Sequence, residues 1–218
     1  MVEAKAFVIL GDVVSSKKID DKTQFQKKID DAIKTVNLKY SDSIYADFKI
    51  LKGIDEIGSV LKSVANIYEI LISISECIYP IQMRFVVVFG EIEVGFESKD
   101  VSLMDGSAFH QASKEINELK ESDSLFSMIT GNDEIDKQIT PVINIIFVIR
   151  GRWSPNQIQA AREYRQLKNQ KEVAQKLGLT QPAISKLLKN IHWKDFERLR
   201  TMINSVFAKY DKSIEKKF

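Results

Sequence analysis

A single cysteine, Cys77, has no partner within the 218 residues. An intramolecular disulfide and a cysteine-rich zinc site are both excluded. Long apolar runs are also missing. The most hydrophobic stretches, around Ile67 to Ile74 and Val142 to Ile149, fall far short of the roughly 20 residues that cross a bilayer. No basic start and no small-residue cleavage site precede the strand-like AFVIL, so no signal peptide and no membrane partner are expected, and the expected compartment is the cytoplasm. With 44% hydrophobic and 28% charged residues, the composition is that of a soluble globular chain: one domain of ordinary size plus a small second one.

The net charge of +2 conceals a division. Residues 1 to 150 carry 17 Lys and Arg against 24 Asp and Glu, a net of −7, whereas residues 151 to 218 carry 15 against 6, a net of +9. An acidic body thus precedes a basic tail, and a basic stretch of that density is the electrostatic footprint of a nucleic-acid binder unless it is only a solvated surface.

Within the acidic part, Ala6 to Val14 reads as a strand buried on both faces. Phe25, Ile29, Ile33 and Val36 recur at helical spacing over Lys22 to Val36. Two short strands, Phe48 to Leu51 and Ile57 to Leu61, flank a tip, KGIDE; a helix over Val64 to Ile78 and a β-branched strand over Met83 to Val94 follow. The order β-α-β-β-α-β predicts an α+β, ferredoxin-like domain. In that topology the first strand lies beside the third, so its end meets the hairpin between the second and third. Asp12 is thereby brought toward Asp55 and Glu56. An ordinary hairpin tip gains nothing from two adjacent acids. Three carboxylates on one rim either stay solvated or are held by a cation or a hydrogen-bond network; oxygen ligands on strand ends suit Mg²⁺ or Mn²⁺. A third helix is expected from Gly106 to Leu119, with Phe109, Ala112, Ile116 and Leu119 inward. Its start at Gly106 and Ser107 is either an ordinary cap or a place for phosphate.

The stretches GDVVSS, KGIDEIG, VVVFGEIEVG and GSAFHQAS resemble the SatD family, which pairs a domain similar to nucleotide cyclases with a C-terminal helix-turn-helix. The acidic part looks like the palm domain of class III nucleotidyl cyclases and GGDEF diguanylate cyclases. GIDEI resembles GGDEF with Ile54 and Ile57 replacing its second and last residues, and DVVSS resembles the cyclase metal motif. The resemblance implies metal ligands at Asp12, the Val13 carbonyl, Asp55 and Glu56, and nucleotide contacts at Gly53, Gly106, Ser107 and His110. The Asn and Arg that stabilise the transition state in class III cyclases fall on His110 and Lys114. Binding machinery is kept and catalytic machinery altered, so the expectation is a domain that binds a nucleotide or pairs two copies rather than one that turns substrate over.

In the basic part, Asp133 to Ile149 reads as a connecting helix interrupted near Pro141. Ser154 and Pro155 then start a helix that runs to about Lys168. In NQKEVAQKLGLTQPAISKLLKNI, a short helix from Gln170 to Leu177 carries a small Ala174, Gly178 permits reversal, and Thr180 caps a second helix with Pro182 in its first turn. Val173, Leu177, Leu179, Ile184 and Leu187 are the expected core. This is the helix-turn-helix pattern, whose second helix enters the major groove of double-stranded DNA; the alternative is a three-helix interaction module that uses the same fold for protein contacts. Thr180, Gln181, Ser185, Lys186 and Lys189 are the candidate DNA contacts. An amphipathic helix follows, with Trp193, Phe196, Leu199, Ile203 and Phe207 as its stripe. The expected domains are a palm over 1–130, a connecting helix over 131–152 and a DNA-binding domain over 153–218. The whole reads as a homodimeric transcriptional regulator. The alternative is an active nucleotidyl cyclase with an accessory helix-turn-helix.

Overall fold

The computed structural model describes residues 4–214. Among them are five strands, β1 (Ala4–Val13), β2 (Ile44–Lys52), β3 (Glu56–Leu61), β4 (Met83–Ile92) and β5 (Phe126–Ile129), in one sheet of order β2-β3-β1-β4-β5. Eight α-helices are described: α1 (Lys22–Lys39), α2 (Ile67–Ile78), α3 (Ser107–Ser122), α4 (Asp133–Gly151), α5 (Pro155–Leu167), α6 (Gln170–Leu177), α7 (Gln181–Asn190) and α8 (Trp193–Ser213). The chain is mixed α+β. It divides into two compact units, one built from the residues up to Asn144 together with those from Ile203 on, the other from Ile145–Met202.

In the first unit, β1 is central because nearly every residue of it is buried. A strand that is apolar on both faces is stable only with neighbours on both edges and cover on both sides. It pairs antiparallel with β3 and with β4, and β2 pairs antiparallel with β3. Ala6, Val8 and Leu10 point to the face where α3 presents Ala108, Phe109, Ala112, Ile116 and Leu119. Phe7 and Ile9 point the other way; Phe25 and Ile29 of α1 and Ile67 and Ile70 of α2 are also fully buried. Ala32, rather than Ile33, completes the buried stripe of α1.

Two features differ from the sequence reading. The pattern gives no sign of β5, which pairs parallel to β4 as a fifth strand. Four residues, two of them half-exposed, are too few to show a period. The strand is held from outside: Asn144 of α4 accepts the N–H groups of Leu125 and Phe126 at 2.8 and 3.0 Å and donates to the Phe126 carbonyl at 2.6 Å. Secondly, α4 continues through Pro141 instead of breaking there. Proline removes one donor, and the carbonyl it leaves unpaired belongs to Lys137, an exposed residue that water can reach. The end of α8 belongs to this unit as well. Asp211 accepts from Ser63 Oγ and the Val64 N–H at 2.7 and 2.9 Å, and Tyr210 donates to the Thr130 carbonyl at 2.7 Å.

The second unit is helical. Ser154 and Gln157 form a reciprocal capping box at the start of α5. Gly178, at φ 64°, ends α6 and lets the Leu179 N–H reach the Ala174 carbonyl at 2.9 Å. Thr180 Oγ1 then accepts from the Ala183 N–H at 3.3 Å and caps α7. Val173, Ala174, Ile184 and Leu188 are buried here. Leu179 is 39% exposed, and Leu177 and Leu187 are half-buried, against the expectation for all three. Leu179 sits in the turn, and the inward row of α7 is the i, i+4 pair Ile184 and Leu188.

Asn144→Ala removes all of the side-chain bonds at the head of β5 at once. It is expected to cost about 2 to 3 kcal/mol, since half-buried backbone groups are left without partners. Urea unfolding of the full chain measures it.

Candidate functional site

The central strand ends in a buried carboxylate. Asp12 stands opposite Arg84 of β4 and opposite Glu56 of β3, and residues opposed across antiparallel strands share a face. That face is the one carrying α3, whose last turn sets Lys120 against the same carboxylate. Lys120 Nζ lies 2.9 Å from Asp12 Oδ1, and Arg84 Nη1 lies 3.5 Å from Oδ2. Asp12 is 7% exposed and Arg84 9%; the Arg84 Nε is buried with no hydrogen-bond partner among the described residues.

The two acids of the hairpin tip go to different places. Gly53 turns the chain at φ 58°. Asp55 is then tied to the segment after β1: its carbonyl accepts the Val13 N–H at 2.8 Å, and its Oδ2 accepts from Ser16 Oγ at 2.8 Å. Glu56 stands opposite Asp12 on one side and Lys52 on the other. Asp12, Asp55 and Glu56 therefore do come to one end of the sheet, where Asp12 meets two cations and Asp55 a hydroxyl.

The divalent cation implied by the resemblance does not fit this donor set. Both Asp12 oxygens face cationic side chains, Asp55 faces a hydroxyl, and Val13 is buried and paired in the sheet opposite Met83. No group of three or more His, Cys, Asp or Glu among the described residues is placed to hold a metal ion.

The residues expected to touch a nucleotide are not gathered in one chain. Because β4 runs antiparallel to β1, the segment after β4 emerges beside the start of β1, and α3 begins there. Gly53 lies at the other end of β1, about 27 Å away for eight residues of extended strand. The start of α3 is also filled from within, because the Ser107 N–H donates to Glu93 Oε2 at 2.8 Å. A Cβ on Gly106 would collide with that carboxylate. His110 is largely exposed and pairs with Asp105 at 3.5 Å; Lys114 pairs with Glu118 at 3.4 Å. His110 is about 15 Å of helix from Lys120. In the loop preceding α3, Lys49 and Ser102 hold the Asp100 carboxyl down to about 2.

Arg84, Lys120 and Glu93 are the residues that the sequence reading missed. Arg84 had a signal: it interrupts the β-branched run MRFVVVF of a strand buried on both faces.

In the second unit, Gln181, Lys186, Lys189 and Asn190 lie on the exposed side of α7, and Ser185 is half-buried. Gln181 Nε2 donates to Gln170 Oε1 at 2.6 Å, linking the first residues of α6 and α7. Lys186 and Lys189 form no ion pair among the described residues, whereas Glu163 and Glu197 are paired with Lys176 and Lys168. A groove of about 470 Å³ includes Gln170, Ser185, Lys189 and Trp193 in its lining.

The model of the SatD family matches residues 6–211. A solved structure of a bacterial light-regulated adenylyl cyclase superposes with a TM-score of 0.42 at 10% identity, covering 59% of this chain and 77% of that one. Likeness of that degree shows neither activity nor ligand. No curated protein gives a significant match. No helix among the described residues is long and apolar enough to cross a membrane.

Asp12→Asn leaves Arg84 buried without its counter-charge and is expected to destabilise the protein by about 3 kcal/mol, because one partner of a buried pair is lost. The double change Asp12→Leu with Arg84→Met should cost clearly less. Urea midpoints of the two variants decide it.

Proposed function

The chain belongs to the SatD family, and we propose that it is a DNA-binding transcriptional regulator whose sheet-bearing unit pairs two copies or senses a nucleotide. The observation that carries the reading is the surface of α7. Its apolar row is consumed inside, while Gln181, Lys186 and Lys189 are left outward behind a Gly178 reversal from α6. This supports reading α6 and α7 as a helix-turn-helix. The unit Ile145–Met202 holds 12 Lys and Arg against 4 Asp and Glu, an excess suited to a polyanion.

In this reading Thr180 and Gln181 begin the recognition helix at the groove floor. A carboxamide that donates one N–H to Gln170 keeps its second N–H and its oxygen for an adenine edge. Lys186 and Lys189 neutralise phosphates, and Ser185 bonds to base or backbone. Two copies would place two such helices on paired half-sites.

Turnover as a nucleotidyl cyclase is the weaker reading. Asp12 is neutralised by Arg84 and Lys120, and His110 and Lys114 lie toward the opposite end of α3 from it. A nucleotide, if one binds, then regulates rather than reacts.

The full chain is expected to bind duplex DNA with log K falling linearly in log salt, at a slope of about −0.9 per phosphate neutralised. Lys189→Ala should weaken all sequences alike and reduce that slope by about one unit. Gln181→Ala should cost roughly 1 to 3 kcal/mol on a selected operator and little on random duplex. Absence of binding at low salt would make this unit a protein-interaction module.

A further inference from the structure

We infer that the carboxylate rim at the end of β1 works without a divalent cation, because Lys120 stands where such an ion would be and Arg84 supplies the remaining charge. The inference concerns the first unit alone and does not rest on the DNA-binding reading.

Asp12 and Glu56 are opposed across β1 and β3, and two carboxylates at that spacing repel unless positive charge lies between or beside them. Arg84 is opposed to Asp12 on the other strand, and Lys120 reaches the same carboxylate from α3 at 2.9 Å. Both positive groups converge on Asp12, so the space beside that carboxylate is already cationic. A metal ion entering it would have to displace an ammonium from Asp12 Oδ1 and would still face the Arg84 guanidinium at Oδ2. Like charges at such distances oppose entry strongly in a site where Asp12 and Arg84 are nearly buried.

The two cations are not equivalent. Arg84 is fixed in a central strand and buried, so it is permanent. The Lys120 side chain is 44% exposed and sits in the last turn of a helix, so it is the replaceable member. It also has a second role that a metal would not share. By holding Asp12 it fastens the end of α3 to the end of β1.

The test uses the full chain, Mn²⁺ alone as the probe, and two readouts: loss of the free aquo-ion signal in electron paramagnetic resonance, and the melting temperature. Wild-type protein should bind no Mn²⁺ and melt at the same temperature with and without it. Lys120→Glu converts the internal cation into a third carboxylate beside Asp12 and Glu56. It should gain stoichiometric Mn²⁺ binding and a melting temperature that rises by several degrees once the ion is about 100-fold above Kd. Lys120→Met should bind at least tenfold more weakly than Lys120→Glu but more tightly than wild type. Wild-type binding of Mn²⁺ that is lost in Asp55→Asn or Asp12→Asn would overturn the inference. So would a Lys120→Glu variant that is folded by circular dichroism and still binds no Mn²⁺, since Lys120 would then not occupy a cation position.

Discussion

At the end of β1 one carboxylate meets two cations, one from the neighbouring strand and one from the helix above, and much of the first unit is arranged around that meeting. A strand buried on both faces can end in an acid only if counter-charge arrives with it. Arg84 arrives by strand register and Lys120 by the length of α3. The direction of α3 follows: its last turn lies over Asp12, so its first turn lies at the opposite end of the sheet. There Glu93 fills the helix start with a carboxylate from the same chain. At both places a group of the chain itself stands where an external ion or phosphate would be sought.

That arrangement bears on function. Asp12 already holds two cations, and the start of α3 already holds a carboxylate. In the proposed reading the acidic unit serves pairing or regulation. The excess positive charge of the molecule lies in the second unit. In the second unit most carboxylates have lysine or arginine partners, while Lys186 and Lys189 on α7 have none among the described residues. In the proposed reading this cationic helix face, with Gln181 at its start, is the surface that meets a polyanion.

Much of this was readable from residues. The buried strand over β1, the helical stripes of α1 and α3, the tip at Gly53, and the caps at Ser154 and Thr180 all follow from local pattern, because each depends on neighbours within a turn or two. The meeting of Asp12 with Asp55 and Glu56 also followed, since it needs only the order of strands. What local pattern cannot carry is the partner brought by a distant element. Phe126 to Ile129 is a strand because Asn144 and β4 make it one. Lys120 looks like a solvated lysine until the pitch of α3 sets it over Asp12. The same topology that joined the acids also sends Gly106 to the far end of β1, so motif residues that look like one site are spread over two. Leu179 was misplaced for a smaller reason: a leucine beside a helix-ending glycine falls in the turn and not on either helix.

The most direct measurement is an amide chemical-shift map of the full chain titrated with duplex DNA by transverse-relaxation-optimised NMR, which suits a 24.9 kDa protein. The account predicts shifts concentrated at the start of α6 and along α7, from Gln170 to Lys171 and from Thr180 to Asn190, with the Asp12, Arg84 and Lys120 amides unmoved. Shifts centred on the rim of β1, or none at all along α7, would contradict it.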